Sequence, residues 1–90
     1  MSVEIELSSI LGRYTDNHLN IQTEGNTVGE CLNDLVRQFP NIKKLLLDKD
    51  GKLLRSYDVF INGESAYPQE MTRRVKDGDK VNVMMLIHGG

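Results

Sequence analysis

One stretch decides the fold of this chain, and it reads Thr27-Val28-Gly29-Glu30-Cys31-Leu32-Asn33-Asp34-Leu35-Val36-Arg37-Gln38-Phe39-Pro40. Its apolar residues recur at the spacing of a single helix face. Thr27 is a good N-cap, and Glu30 three residues later completes a capping box, in which two side chains satisfy free backbone N–H groups at the helix start. Pro40 cannot continue a helix. The stretch therefore predicts a helix over residues 28–39 with one buried face.

Two strands are predicted ahead of this helix. Apolar and polar residues alternate over 3–7 and again over 19–22, which is the pattern of strands with one buried face. Gly12 and the polar run 15–18 lie between them and supply a turn. We expect the two strands to pair as a hairpin.

A further turn of helix and a loop are predicted after Pro40. Ile42, Leu45 and Leu46 have helical spacing and are expected to close one end of the core. The segment 48–51 then reads as a turn. Its two aspartates do not make a calcium loop, because the twelve-residue ligand pattern and its closing glutamate are absent.

The second half of the chain predicts three more strands. Val59 and Ile61 precede Asn62-Gly63, a strong hairpin signal, and the segment 65–74 should hold a short edge strand that Pro68 blunts. A turn over 77–79 leads into a last strand over about 80–87. The order strand, strand, helix, strand, short strand, strand predicts an α+β fold, with one main helix on one face of a mixed sheet of four to five strands.

Composition narrows the classes of function. The chain has 90 residues, of which 39% are hydrophobic, enough for one core. Cys31, His18 and His88 are its only cysteine and histidines, so a disulfide framework and a multi-cysteine zinc site are excluded and no metal site is predicted. So few catalytic side chains do not favour a self-contained enzyme.

Charge and hydropathy narrow the location and the partners. Lys+Arg is 11 and Asp+Glu is 13, for a net charge of -2, so neither nucleic acid nor an anionic membrane surface is an expected partner. Residues 1–7 have no signal-peptide pattern. No apolar run approaches the roughly 20 residues needed to span a bilayer. The cytoplasm is the expected location.

The C-terminal segment Ile87-His88-Gly89-Gly90 follows the last strand almost directly. Its two glycines have no turn to make and no helix to cap, so a frayed end is the simplest interpretation. The predicted strand order instead places this end directly after a central strand. We therefore expect a domain over 1–86 and a flexible tail over 87–90 that ends in Gly-Gly.

The whole chain resembles the ubiquitin-like sulfur carriers of the MoaD/ThiS family, which have the β-grasp fold. The features that carry the resemblance are Thr27-Val28-Gly29-Glu30, Val59-Phe60-Ile61-Asn62-Gly63, Val75-Lys76-Asp77-Gly78-Asp79-Lys80-Val81 and the terminal Gly89-Gly90. Segments 10–15 and 47–56 resemble the longer, CysO-like members, which serve cysteine biosynthesis. His88 departs from the small residues that many relatives have before the glycines.

The resemblance implies a chemistry for Gly90. An adenylating, ubiquitin-activating-like enzyme uses ATP to join AMP to the Gly90 carboxylate, and a sulfur donor protein then displaces AMP to leave a thiocarboxylate. Such a group is a good nucleophile toward an activated acceptor. Gly89 and Gly90 lack Cβ atoms and so fit a narrow partner cleft. The chain itself would be a non-catalytic co-substrate with no bound cofactor.

The resemblance leaves the destination of the sulfur open. Cysteine biosynthesis, with a cysteine synthase as the acceptor enzyme and a metalloprotease as a further partner, is the preferred destination. The alternatives are the small subunit of molybdopterin synthase, whose large subunit is then the partner, and the thiazole (thiamine) carrier. A protein modifier joined through Gly90 to lysine, as ubiquitin is, and a plain interaction module are different classes of function.

Strand alternation predicts a docking surface for these partners. If Val81, Val83 and Met85 face the helix, Met84 and Leu86 face away from it. Phe60, Met84 and Leu86 then form one apolar patch, rimmed by the acidic residues of the first strand. The alternative is that they are scattered surface apolars, which are normal on any protein.

The remaining candidates each have a plain interpretation. Cys31 is expected to be a core residue, since a sulfur-carrying thiol would need exposure and a lowered pKa. His18 is expected in an exposed loop. His88 is either a solvated tail residue or a contact to a nucleotide phosphate or partner carboxylate in the docked state. The basic cluster 73–76 is expected near the tail end of the sheet.

Overall fold

Residues 2–86 are described by the computed structural model, and they form a mixed sheet of five strands with a helix across one face. The strands are β1 (Ser2–Leu7), β2 (Asn20–Glu24), β3 (Tyr57–Ile61), β4 (Glu64–Ser65) and β5 (Lys80–Met85), and the helices are α1 (Val28–Gln38) and α2 (Lys43–Leu46). The spatial order of the strands is β2-β1-β5-β3-β4. The predicted α+β class and the predicted element order are confirmed.

Helix α1 begins where the capping pattern predicts it. The Thr27 hydroxyl accepts a hydrogen bond from the Glu30 N–H at 3.1 Å. The Glu30 carboxylate accepts from the Asn26 N–H, one residue earlier than in a standard capping box. Gly29 lies so close to the Met71 carbonyl oxygen that a Cβ atom would stand 2.8 Å from it. The glycine therefore lets the helix approach the 70–72 segment closely.

The buried face of α1 covers the inner face of the sheet. Its apolar stripe is buried at Cys31, Leu32 and Leu35, and becomes half-buried towards its C-terminal end. In the sheet, the fully buried residues are those that alternation predicted: Val3, Ile5, Val59, Val81 and Val83. Ile42 and Leu46, on the turn before α2 and on α2, close one end of this core as expected.

Strand β5 is the centre of the sheet. It pairs in parallel with β1, from Glu4↔Lys80 to Leu7↔Val83. On its other side it pairs antiparallel with β3, from Tyr57↔Met85 to Ile61↔Val81. The predicted β1–β2 and β3–β4 hairpins are both present, and Asn62 and Gly63 make the second turn with positive φ.

Side chains of α1 close the outer edge of β2. The Gln38 amide donates to the Gln22 carbonyl at 2.9 Å, and the Glu24 N–H donates to the Asp34 carboxylate at 2.9 Å. Burial alone would raise the pKa of Asp34, but the hydrogen bonds from Glu24 and Arg37 outweigh it and hold that pKa below its usual value. Two backbone groups on this edge are therefore satisfied within the chain and are not left open to another strand.

The structure corrects the prediction in four places. A 3-10 helix, Ser9–Tyr14, stands where a simple turn was expected, and another covers Glu70–Thr72. Strand β5 ends at Met85, short of the predicted 87. A short edge strand is present, but β4 has only two residues, Glu64–Ser65, and begins one residue before the predicted segment 65–74.

Candidate functional site

The described part of the chain ends one residue beyond β5, at Leu86. The Leu86 N–H donates to the Ser56 carbonyl at 2.7 Å, which extends the β3–β5 pairing by one bond. His88, Gly89 and Gly90 lie outside the described residues, as does the rest of the predicted tail. Their roles stay predictions, and the structure gives the geometry of the strand that precedes them.

The three residues of the predicted docking surface are on one side of the sheet. Phe60 pairs with Asn82, and Met84 pairs with Asp58, so Phe60 and Met84 are diagonal neighbours on the outer face. Met84 is 49% exposed and Leu86 is 41% exposed. Phe60 is half-buried and not fully exposed, so its ring offers less surface to a partner than strand alternation predicted.

Polar groups occupy the remainder of this outer face. The Glu6 carboxylate accepts a hydrogen bond from the Asn82 side chain. The Glu4 carboxylate accepts from Asn20 at 2.6 Å and lies 3.6 Å from the Lys80 ammonium. These acids rim the patch as predicted, but they are engaged with neighbours within the sheet. The apolar surface is therefore concentrated towards the end of β5.

Two exposed apolar residues at the same end were missed by sequence reasoning. Ile10 is 57% exposed and Tyr67 is 71% exposed. Ile10 lines a cavity together with Met85, and Tyr67 lines another together with Leu86. Within residues 2–86, the large exposed apolar side chains Ile10, Tyr67, Met84 and Leu86 thus gather around the end of β5. Two features of the sequence could have indicated these exposed residues: an isoleucine on a short polar connection, and the Tyr67-Pro68 pair.

The basic cluster lies at the other end of the sheet, so its predicted position was wrong. Arg73, Arg74 and Lys76 line a cavity with Ile61 and Asp79. Ile61 pairs with Val81 at the start of β5, whereas the predicted tail follows the other end of that strand in the sequence, beyond Met85. The displacement arises because the segment between β4 and β5 must return to the start of β5 before that strand can begin.

Cys31 and His18 are where the sequence predicted. Cys31 is fully buried, and burial raises the pKa of its thiol, so it stays protonated near neutral pH and packs as a core residue. His18 is exposed in its loop, and its ring centroid lies 6.4 Å from that of Phe39.

The described residues contain neither a candidate metal site nor a helix suited to span a membrane. Between Ser2 and Leu86 no group of three or more His, Cys, Asp or Glu side chains is placed to hold a metal ion. Over the same span, neither α1 nor any other helix has the length and apolar character needed to cross a membrane.

Comparisons with known proteins place this geometry in a family context. A family model described as the ThiS family matches residues 6–90. The sulfur carrier protein CysO of Mycobacterium tuberculosis is 27% identical over 93 residues, which cover 100% of both chains.

Solved structures agree with this match. A chain of the crystal structure of the Amycolatopsis orientalis BexX/CysO complex has a TM-score of 0.87 and 28% identity, over 98% of this chain and 99% of that chain. The crystal structure of SAMP1 from Haloferax volcanii has a TM-score of 0.85 and 25% identity, over 100% of both chains. The fold is the ubiquitin-like β-grasp fold that the sequence predicted.

Proposed function

The chain belongs to the ThiS family, and we propose that it is a sulfur carrier whose Gly90 carboxylate is converted to a thiocarboxylate. The observation that carries this proposal is the extent of the family match, which runs to residue 90 and so includes Gly89 and Gly90. The CysO protein of Mycobacterium tuberculosis aligns over the whole chain, including this end.

The chemistry requires an activated Gly90, because oxide is too poor a leaving group for direct substitution. An adenylating enzyme joins the carboxylate to the α-phosphate of ATP and releases pyrophosphate. The terminal sulfur of a donor persulfide then forms a C–S bond, and AMP leaves with the electron pair. A thiol finally cleaves the S–S bond and releases the Gly90 thiocarboxylate, which is the nucleophile for the acceptor.

The domain itself acts as a co-substrate in this scheme. The buried, protonated Cys31 thiol is unsuited to carry sulfur, which favours the C-terminal carboxylate as the carrying group. ATP and the acid-base groups belong to the partner enzymes, and the chain needs no cofactor of its own. We place this exchange in the cytoplasm, where the partner enzymes would meet the carrier.

The outer face at the end of β5 is the proposed docking surface. Met84 and Leu86 are exposed and apolar, and Phe60 lies beside them. Adaptable methionine and aromatic side chains are enriched at interfaces. An enzyme that reaches Gly90 must approach this end of the sheet, so the patch and the tail are expected to bind together, with His88 between them.

Cysteine biosynthesis is the proposed destination of the sulfur, with a cysteine synthase as the acceptor and a metalloprotease as a further partner. The similarity to a CysO protein over the whole chain favours this destination. A molybdopterin synthase large subunit and a thiazole-forming enzyme are the alternative acceptors, because all three would use the same terminus.

A protein modifier is the second candidate function. The specific support is the similarity to SAMP1, which another solved structure names in full as small archaeal modifier protein 1. In that case the activated Gly90 would form an isopeptide bond with a lysine instead of a thiocarboxylate.

One experiment separates these functions. The chain is incubated with the adenylating enzyme of its source organism, ATP and a persulfide donor, and its intact mass is measured. Replacement of one oxygen by sulfur, dependent on ATP, supports the carrier, and consumption of that species by one of the purified acceptors identifies the destination. Conjugate ladders in cells, without any thiocarboxylate, would support the modifier. If neither the thiocarboxylate nor conjugates form, both functions are refuted.

A further inference from the structure

A cavity of about 600 Å³ opens beside the end of β5, on the side of the strand that faces the core. Its size lies within the range of protein clefts that receive a ligand or an anchoring side chain. We call it the Ile10 cavity, and the residues that matter for its chemistry are Ile10, Arg13, Tyr14, Leu45, Tyr57 and Met85.

The Ile10 cavity combines apolar walls with one positive charge. Ile10, Leu45 and Met85 supply the apolar surface. Burial raises the pKa of the Tyr57 phenol, and the neighbouring Tyr14 phenol adds to the rise, so the Tyr57 phenol is neutral at physiological pH. Arg13 is exposed and makes no ion pair with any of residues 2–86.

The position of the Ile10 cavity places it within reach of an enzyme that acts on Gly90. Met85 lines the cavity and Leu86 follows it directly, so the cavity lies beside the root of the tail. Four extended residues reach at most about 14 Å. An enzyme whose catalytic groups contact Gly90 must therefore bring its own surface within about 14 Å of Leu86.

The Ile10 cavity also lies on the opposite side of β5 from the proposed docking surface. Neighbouring side chains of a strand point to opposite faces, and Met84 is exposed on the outer face while Met85 faces the core side. An enzyme that covered only the outer face would leave Ile10 exposed and the Arg13 guanidinium unpaired. Covering both faces would hold the end of the strand, and with it the direction of the tail.

We propose that the adenylating enzyme inserts an apolar side chain, flanked by a carboxylate, into the Ile10 cavity, and that the carboxylate pairs with Arg13. The inference rests on the proposed function and names the chemistry of its first partner. The enzyme would then contact the end of β5 on both sides, at the Ile10 cavity and at the proposed docking surface on the outer face.

Two charge-introducing variants test the contact, and one matched variant controls for net charge. Ile10→Glu places a carboxylate where the partner's apolar side chain would enter, and Arg13→Glu reverses the charge that attracts the partner's carboxylate. Arg74→Glu makes the same charge change as Arg13→Glu, but at the start of β5. Thermal unfolding followed by circular dichroism verifies that all three variants fold.

The measurement is the ATP–pyrophosphate exchange rate of the adenylating enzyme as a function of carrier concentration. We expect Ile10→Glu and Arg13→Glu each to raise KM about tenfold, with kcat within about twofold, because the docking contact is lost while the tail is intact. The Arg13→Glu effect should shrink as ionic strength rises, because salt screens the lost ion pair. Arg74→Glu should keep the wild-type KM.

Each other outcome counts against the proposal. If the wild-type chain supports no exchange, the proposed function fails together with the inference. If the wild type is active and both variants keep its KM, the inference alone fails. A variant that lowers kcat without changing KM, or that dissociates a dimer of the wild-type chain, would assign the cavity to another role or to a second copy.

Discussion

The two ends of β5 have opposite chemistry. At its start the Asp79 carboxylate accepts hydrogen bonds from the Asn62 side chain at 2.9 Å and from the Lys76 N–H at 2.8 Å. The Asn62 side-chain oxygen accepts in turn from the Lys80 N–H at 3.0 Å. At its end β5 is surrounded by exposed apolar side chains and by the Ile10 cavity.

We expect residues at the start of β5 to stabilise the fold and residues at its end to bind partners. The polar groups at the start are satisfied within the domain, so they set the register in which β5 joins β1 and β3. The apolar groups at the end are left uncovered at a cost in solubility, which is typical of surfaces that a partner covers. Substitutions at the start should therefore change the free energy of unfolding, and substitutions at the end should change activation.

The largest effect is expected beyond the end of β5, at Gly90. Gly90→Ala adds a methyl group where the terminus must enter a narrow cleft, and a displacement of the reacting atoms by about 1 Å can cost about 100-fold in rate. We expect a loss of that order in thiocarboxylate formation, measured by intact mass over time, with no change in unfolding free energy. Lys76→Ala is the control at the opposite end, and equal losses in the two variants would contradict the separation.

The next effect is expected on the outer face at the end of β5. The double variant Met84→Ala, Leu86→Ala removes two exposed apolar side chains, and we expect KM for activation to rise about tenfold, equivalent to about 1.4 kcal/mol of binding. The thermal midpoint should stay near that of the wild type because neither side chain is buried. Phe60→Ala, Leu86→Ala should weaken activation similarly, with some loss of stability, since Phe60 is half-buried. Unchanged activation kinetics in both double variants would refute the docking surface.

A smaller effect is expected at the start of α1, which is joined to the segment before β5 by the Thr27↔Arg74 bridge. Thr27→Ala removes the acceptor for the Glu30 N–H and should lower the unfolding free energy by about 1 kcal/mol, measured by urea titration. Thr27→Ser keeps the acceptor and serves as the control. If Thr27→Ala raised the KM for activation while the fold stayed intact, the prediction that the start of β5 serves stability alone would be wrong.

The smallest effect is expected from the charge of Asp79. Hydrogen bonds from Asn62 and from the Lys76 N–H hold the pKa of Asp79 below its usual value. A lowered folded-state pKa stabilises the protein above the unfolded pKa of about 3.9, and this stabilisation is lost as the pH falls through the folded-state value. Asp79→Asn should cost less than about 1 kcal/mol at neutral pH, with the difference shrinking in acid. A difference in unfolding free energy that stays constant between about pH 7 and pH 3 would rule out this charge effect.

Much of the fold could be predicted because its signals are local. The capping pattern at Thr27 and Glu30 marks the start of α1, and Asn62-Gly63 marks the β3–β4 turn. Alternation over β1 and β5 identified the buried valines and the exposed Met84. Each of these patterns depends on residues within a few positions of one another, so a single sequence contains the whole signal.

The parts that were missed depend on contacts between distant segments. The Ser9–Tyr14 helix has no periodic pattern, and its position is set by bonds such as that from the Ser8 N–H to the Val83 carbonyl. Because Ile10 belongs to this helix, its place beside β5 was not visible either. The basic cluster was misplaced because the course of the segment after β4 is determined by where β5 must enter the sheet.

The parallel pairing of β1 with β5 has a consequence for synthesis on the ribosome. The first strand cannot acquire its inner neighbour until the last one has emerged, because β5 separates β1 from β3. A nascent chain that stops before Lys80 has two unjoined hairpins and no central strand. Gly89 and Gly90, which are proposed to carry the sulfur, are therefore synthesised only after the strand that completes the core.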